Sequence, residues 1–107
     1  MGKRYTDVDA GELSQAGETE RHRYVLVDVR TKEEYEEGHL PGARHIPYDE
    51  MEERVGELED VKDREILLIC RSGRRSVIAA NVLSMNGFRR LFNLKGGMLE
   101  WTGPTEK

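Results

Sequence analysis

The chain has 107 residues, 36% hydrophobic and 36% charged, with 21 acids against 17 bases for a formal net charge of -4. That length fits one domain, and the mildly acidic balance argues against a general nucleic-acid or membrane-surface role and for a soluble monomer. Met1 to Asp7 lacks the apolar stretch of a secretion signal and no run approaches a membrane span. Cys70 is the single cysteine, so there is no internal disulfide and no Cys-x-x-Cys or Cys/His cluster for a metal. A lone free thiol points to the reducing cytoplasm. Gly2 and Thr6 match the spacing of an N-myristoylation signal, a match that chance explains.

Taken along the chain, Val25-Leu26-Val27-Asp28-Val29 is the first short, continuous, partly β-branched run. Such a run reads as a strand covered on both faces in a parallel sheet. Thr31 then caps a short helix through Tyr35, with Glu33 and Glu34 beside the positive end of its dipole. Met51, Val55 and Leu58 recur at helical spacing in a very acidic segment, which predicts one buried stripe on an exposed helix. Ile66-Leu67-Leu68-Ile69-Cys70 is the second buried strand. From Ser76 to Met85 a helix is predicted with Ile78, Val82 and Met85 on one face and Ala79 and Leu83 beside it. Asn86-Gly87 stops it. A minor strand at Leu91 to Leu94 and a short helix at Met98 to Trp101 complete an alternation that defines an α/β domain with a mostly parallel sheet.

The segment from Cys70 to Ser76 carries the chemistry. A buried strand runs out at Cys70 and a helix starts a few residues on, and sites in open α/β sheets form beyond the carboxyl ends of strands. The turn aims backbone N–H groups into one concavity at a helix N-terminus, and Arg71, Arg74 and Arg75 add positive charge. All of this favours an anion at Cys70, the thiolate being the nucleophile. Gly73 permits the positive φ that a tight cradle needs. Against this stands the inert small hydrophobe that a lone cysteine often is. The residues after Cys70 are all polar or Gly, which places it at a strand end and favours the reactive role.

The loop Cys70-Arg71-Ser72-Gly73-Arg74-Arg75-Ser76 resembles the active-site loop of single-domain rhodaneses. Three further segments are similar to that family in the same order: Asp28-Val29-Arg30 with Glu34-Tyr35; Gly38-His39-Leu40-Pro41-Gly42-Ala43 with Ile46-Pro47; and Leu94-Lys95-Gly96-Gly97 with Trp101 four residues on. One such motif is weak, but the ordered set is strong. The resemblance spans about Thr6 to Trp101. It gives an expected division into a short extension at 1–5, a rhodanese-like domain at 6–103 and a tail at 104–107.

That resemblance implies a five-stranded, mostly parallel sheet with helices on both faces, and a thiosulfate sulfurtransferase without metal or organic cofactor. Cys70 would attack a thiosulfate-like anionic donor and pass the sulfur from a persulfide to cyanide, a thiol or a protein acceptor. The expected site is Cys70 as nucleophile, with Arg71, Ser72, Gly73, Arg74, Arg75 and Ser76 around the substrate. Asp28, Arg30 and Glu34 are structural support, with an Arg30–Glu34 ion pair at helical spacing. His39 is a hydrogen-bonding turn residue, Trp101 packs in the core or a lid, and Gly96-Gly97 makes a tight turn. His22 and His45 show no partner pattern.

Two rivals bear on this expectation. Phosphatases that share the fold need an arginine six positions after the cysteine, for bidentate phosphate binding. Ser76 stands there instead, and Arg75 falls one place early. A sulfur-relay or regulatory module acting on protein partners, with little thiosulfate turnover, is the alternative within the family.

Overall fold

The computed structural model describes residues 4–107. The myristoylation spacing at Gly2 and most of the expected extension at 1–5 lie outside the described residues. Strands β1 (Thr6–Asp9), β2 (Val25–Asp28), β3 (Arg44–His45), β4 (Ile66–Ile69) and β5 (Leu91–Lys95) form one sheet in the order β1-β5-β4-β2-β3. Every pairing is parallel. The helices are α1 (Ala10–Ala16), α2 (Glu18–Arg21), α3 (Lys32–Glu37), α4 (Met51–Arg54), α5 (Arg75–Met85) and α6 (Gly97–Glu100).

The unbroken apolar run of β4 follows from its central place. Ile66 and Leu68 enter one core cluster with Ala79, Ala80 and Leu83 of α5, and with Met51 and Leu58. Leu67 and Ile69 enter the other, with Ala10 and Leu13 of α1, Leu40 and Trp101. Strand side chains alternate between faces, so Cys70 continues the Ile66–Leu68 row toward α5. Helices therefore cover both faces, as expected. No helix among the described residues is long and apolar enough to cross a membrane.

Local chemistry sets the helix starts. Asp9 caps α1, its carboxylate accepting from the Glu12 N–H at 3.0 Å. Thr31 caps α3 through a capping box in which its hydroxyl accepts from the Glu34 N–H and the Glu34 carboxylate accepts from the Thr31 N–H.

Two expectations are corrected. The α5 face is rotated: Ser76, Ala79, Ala80 and Leu83 are buried, whereas Ile78 is 50% and Met85 78% exposed. Two alanines let the helix approach the sheet closely, and Ser76 is drawn inward by polar partners described below. The acidic segment is not one helix: α4 ends at Arg54 and a 3₁₀ stretch runs from Val55 to Val61. Gly56, a weak helix former, sits in that stretch, although Met51 and Leu58 are buried as the spacing requires. Within 104–107 there is a backbone contact back to the domain. Glu106 pairs back on His39 through two backbone hydrogen bonds of 2.8 and 2.9 Å.

Candidate active site

Strand β4 delivers Cys70 to its carboxyl end, where the thiol is only 1% exposed. The chain then turns, with Gly73 at φ 99°, so that the Gly73 N–H points back and donates to Cys70 Sγ at 2.9 Å. The loop is held from below by α6. The Met98 N–H donates to the Cys70 carbonyl at 2.9 Å and the Leu99 N–H to the Arg71 carbonyl at 3.0 Å. Such close approach needs Gly97: at φ 57°, a Cβ there would lie 2.5 Å from both carbonyl oxygens. The expected tight turn at Gly96-Gly97 thus has a specific purpose beneath the cysteine loop.

Ser76, the second residue of α5, is fully buried with Oγ 3.4 Å from Cys70 Sγ. Its hydroxyl donates to Asn93 Oδ1, and Asn93 Nδ2 donates to Asp7 Oδ1 at 3.0 Å. Sheet register makes this row: Asn93 of β5 lies between Leu68 of β4 and Asp7 of β1.

Arg75 engages Glu34 through two hydrogen bonds of 2.9 and 3.0 Å, tying the loop to α3. That guanidinium, more than the Thr31 cap, holds the Glu34 carboxyl down at about 2, against the opposing effect of burial. Glu34 in turn raises Arg75, to which the nearby Cys70 adds a smaller upward push. The expected Arg30–Glu34 pair is therefore replaced. Arg30 instead grips Asp28 at 2.8 to 3.1 Å, both buried, and donates to the Gly38 carbonyl at 2.7 Å. Asp28 sits beside Ile69 in the β2–β4 register, so this pair braces the end of the cysteine strand.

Arg71, Ser72 and Arg74 lie exposed on the loop rim. A hollow of about 260 Å³ beside the bridge is lined by Thr31, Lys32, Pro47, Tyr48, Asp49, Glu50 and Arg75. A larger one, about 550 Å³, involves Arg4, Thr6, Arg89 and Leu91 at the opposite ends of β1 and β5, away from the thiol. No group of His, Cys, Asp and Glu among the described residues is arranged to hold a metal.

No partner pattern in the sequence pointed to a role for His45 or Asn93. His45, expected to have no role, places Nε2 2.8 Å from the Arg30 carbonyl. Tyr35 stacks between His39 at 3.7 Å and His45 at 4.5 Å and donates to the Ala43 carbonyl at 2.7 Å. Burial raises the Tyr35 phenol. His39 is the hydrogen-bonding turn residue expected, with Nδ1 2.8 Å from the Tyr35 carbonyl. Trp101 is buried in the α1-side core and donates Nε1–H to the Pro104 carbonyl. Asn93 carried one available signal, a lone amide inside the apolar run Leu91-Phe92-Asn93-Leu94.

Residues 9–104 of this chain match the model of the Rhodanese-like domain. The chain belongs to that family. It is 38% identical to a sulfurtransferase of Allochromatium vinosum over 96 residues, covering 89% of this chain and 86% of that one. It is 48% identical over 81 residues to YrkF of Bacillus subtilis, described provisionally as a sulfur carrier protein, covering 76% of this chain. The chain spans only 43% of YrkF and 60% of YqhL from the same organism. In structure it is similar to a rhodanese-related protein from Thermoplasma volcanium, with TM-score 0.81, 28% identity, and 95% and 98% of the two chains covered. The family is of the sulfurtransferase and sulfur-carrier type.

Proposed function

We propose that the chain is a thiosulfate-type sulfurtransferase that carries a sulfane sulfur as a persulfide on Cys70. The Cys70 thiolate attacks the outer sulfur of thiosulfate or a similar anionic donor. A sulfur–sulfur bond forms, the donor's own breaks, and sulfite leaves with the electron pair. An acceptor thiolate, or cyanide in an assay, then attacks the terminal sulfur and Cys70 departs as thiolate. Nothing in this balance draws on a metal or organic cofactor.

The observation that carries the reading is the Gly73 N–H aimed at Sγ at 2.9 Å, at the end of a buried strand and the start of α5. Preorganised donors of this kind stabilise charge where it develops. Arg71 and Arg74 on the exposed rim attract the anionic donor, Ser72 and Gly73 shape its cradle, and Arg75 adds charge while fastening the loop to Glu34. Ser76 meets the sulfur from within, and Asp28 and Arg30 keep the strand end in place.

The test is intact mass after incubation of the reduced protein with thiosulfate, beside Cys70→Ala. With one cysteine, a gain of one sulfur atom that cyanide removes and the variant lacks supports the reading. A free thiol that gains nothing overturns thiosulfate turnover. A second reading, a sulfur relay that loads only from protein partners, is favoured by the deep burial of Cys70 and the likeness to YrkF. Loading from a persulfidated protein but not from thiosulfate would select it. Both readings suit a reducing cytoplasm, where the thiol stays free.

A further inference from the structure

The hydrogen bonds running inward from Cys70 have a direction, and it is set at the far end. Asp7, as a carboxylate, only accepts. It therefore takes the Asn93 amide N–H₂ at 3.0 Å, which turns Asn93 Oδ1 toward Ser76. Ser76 has one hydroxyl proton, and Oδ1 takes it. What Ser76 then shows to Cys70, 3.4 Å away, is an oxygen lone pair. A protonated Cys70 suits that arrangement, since its S–H donates to Ser76 Oγ. A thiolate does not: for Sγ to gain a second donor beside the Gly73 N–H, the Ser76 hydroxyl must swing away from Asn93 and leave a buried amide oxygen without its proton. Ser76 is fully buried and Asn93 is 5% exposed, so water does not readily fill the gap and the loss is felt.

We propose that Asn93, oriented by Asp7, is a positioning residue that competes with the Cys70 sulfur for the single proton of Ser76 and so governs how readily the thiolate forms. The inference deepens the sulfurtransfer reading and rests on it for its meaning. Thiolate appears twice in that cycle, as the attacking group and as the group expelled from the persulfide, and each time Ser76 must switch partners. Between expulsion and the next attack, the resting thiol is held as a donor to Ser76.

Among the described residues, the charged and titratable groups around the loop include Arg71, Arg74, the Arg75–Glu34 pair, Tyr48 with its ring 6.0 Å from the Arg75 guanidinium, and the Asp28–Arg30 pair on the adjacent strand. They are common to every variant compared below, so differences between variants report on the chain from Asp7 to Cys70.

The experiment follows the rate of Cys70 alkylation by iodoacetamide against pH, read by intact mass. In that reaction the thiolate forms a sulfur–carbon bond as iodide leaves with the carbon–iodine pair, so no sulfur donor is involved. Asp7→Asn is near-isosteric and lets the Asn93 amide turn over, which frees Ser76 to donate to Sγ. Its half-maximal pH should fall by about one unit, roughly tenfold more thiolate on the acid side. Asn93→Ala, which retains the Asp7 charge, should move the profile the same way. Removing a negative charge near a thiol also favours thiolate directly, so the deciding comparison is made without the hydroxyl. In Ser76→Ala, adding Asp7→Asn should keep only that direct charge effect and so move the profile by clearly less than in the wild-type background.

The proposal is overturned if Asp7→Asn, folded by circular dichroism, titrates like the wild type. It is equally overturned if the Asp7→Asn displacement persists undiminished in the Ser76→Ala background. Because alkylation needs no sulfane sulfur, failure of thiosulfate loading with the expected profiles would remove the thiosulfate reading alone. Loading with unchanged profiles would remove this inference alone.

Discussion

Replacing Gly97 by alanine sets a side chain against the floor of the cysteine loop. The Cβ would stand 2.5 Å from the carbonyl oxygens of Cys70 and Arg71 and 2.6 Å from the Arg71 carbonyl carbon. All three are backbone atoms, so relief requires α6 to move off the loop. That movement breaks the Met98 and Leu99 N–H bonds to those carbonyls, at about 1 kcal/mol each. The left-handed φ of 57° adds about 1–2 kcal/mol for any residue with a Cβ. The sum is about 3–4 kcal/mol, a large share of the roughly 5–15 kcal/mol that holds a domain together. Gly96→Ala is the internal control. It has the same backbone strain, but its Cβ meets the flexible end of Glu100 at 2.7 Å, which can swing aside, so about 1–2 kcal/mol is expected. Urea unfolding with the slope held common gives both numbers. Persulfide loading should also be lost in Gly97→Ala and kept in Gly96→Ala. Equal unfolding midpoints for the two variants would refute the collision argument.

Further outcomes follow from other contacts. Glu34→Gln should cost about 1 kcal/mol at neutral pH, after discounting for partial exposure. Since the folded carboxyl is held at about 2, below its ordinary 4.5, the wild type's advantage is present above about 4.5 and is lost as pH falls through about 2. Denaturation midpoints of both proteins across that window check the sign. Asp28→Asn leaves Arg30 buried without its charge partner and should cost about 3–5 kcal/mol in urea; a change under about 1 kcal/mol would show that the pair braces nothing. Ile78→Ser should stay within about 0.5 kcal/mol of wild type, whereas Leu83→Ala should lose about 2–5 kcal/mol. The reverse ranking would restore the helix face expected from spacing. Tyr35→Phe removes the bond to the Ala43 carbonyl and should lower Tm by about 4–8 °C, the effect of about 1 kcal/mol.

Strands β2 and β4 and the loop from Cys70 to Ser76 were legible because a strand buried on both faces requires an unbroken apolar run, and its end is where polarity changes abruptly. The edge strands were not. Thr6-Val8 alternate with Asp7-Asp9 on a half-exposed rim, and Arg44–His45 is two residues long, so neither shows an apolar run. The family resemblance, rather than the pattern, supplied the five-strand count. The α5 face was misjudged because size was taken as the mark of burial, while close helix–sheet contact favours Ala79 and Ala80 and polar partners draw in Ser76. For Glu34, proximity in sequence pointed to Arg30 as its partner, whereas the fold offers Arg75 from 41 positions away. Asn93 and Asp7 became meaningful only through register, which no local pattern encodes.

The two rims of the sheet have a bearing on crowding. A parallel sheet grows when another molecule lays a strand along an unpaired edge, and long, flat, apolar edges invite this. Here one edge is β3, with only Arg44 and His45, their side chains engaged with Asp60 at 3.0 Å and the Arg30 carbonyl at 2.8 Å. The opposite edge, β1, is four residues long and ends on the exposed Asp9, whose charge repels a second acidic copy. An incoming strand finds a short template on one side and like charge on the other, so the buried apolar ladder at the centre stays shielded from propagation at high concentration.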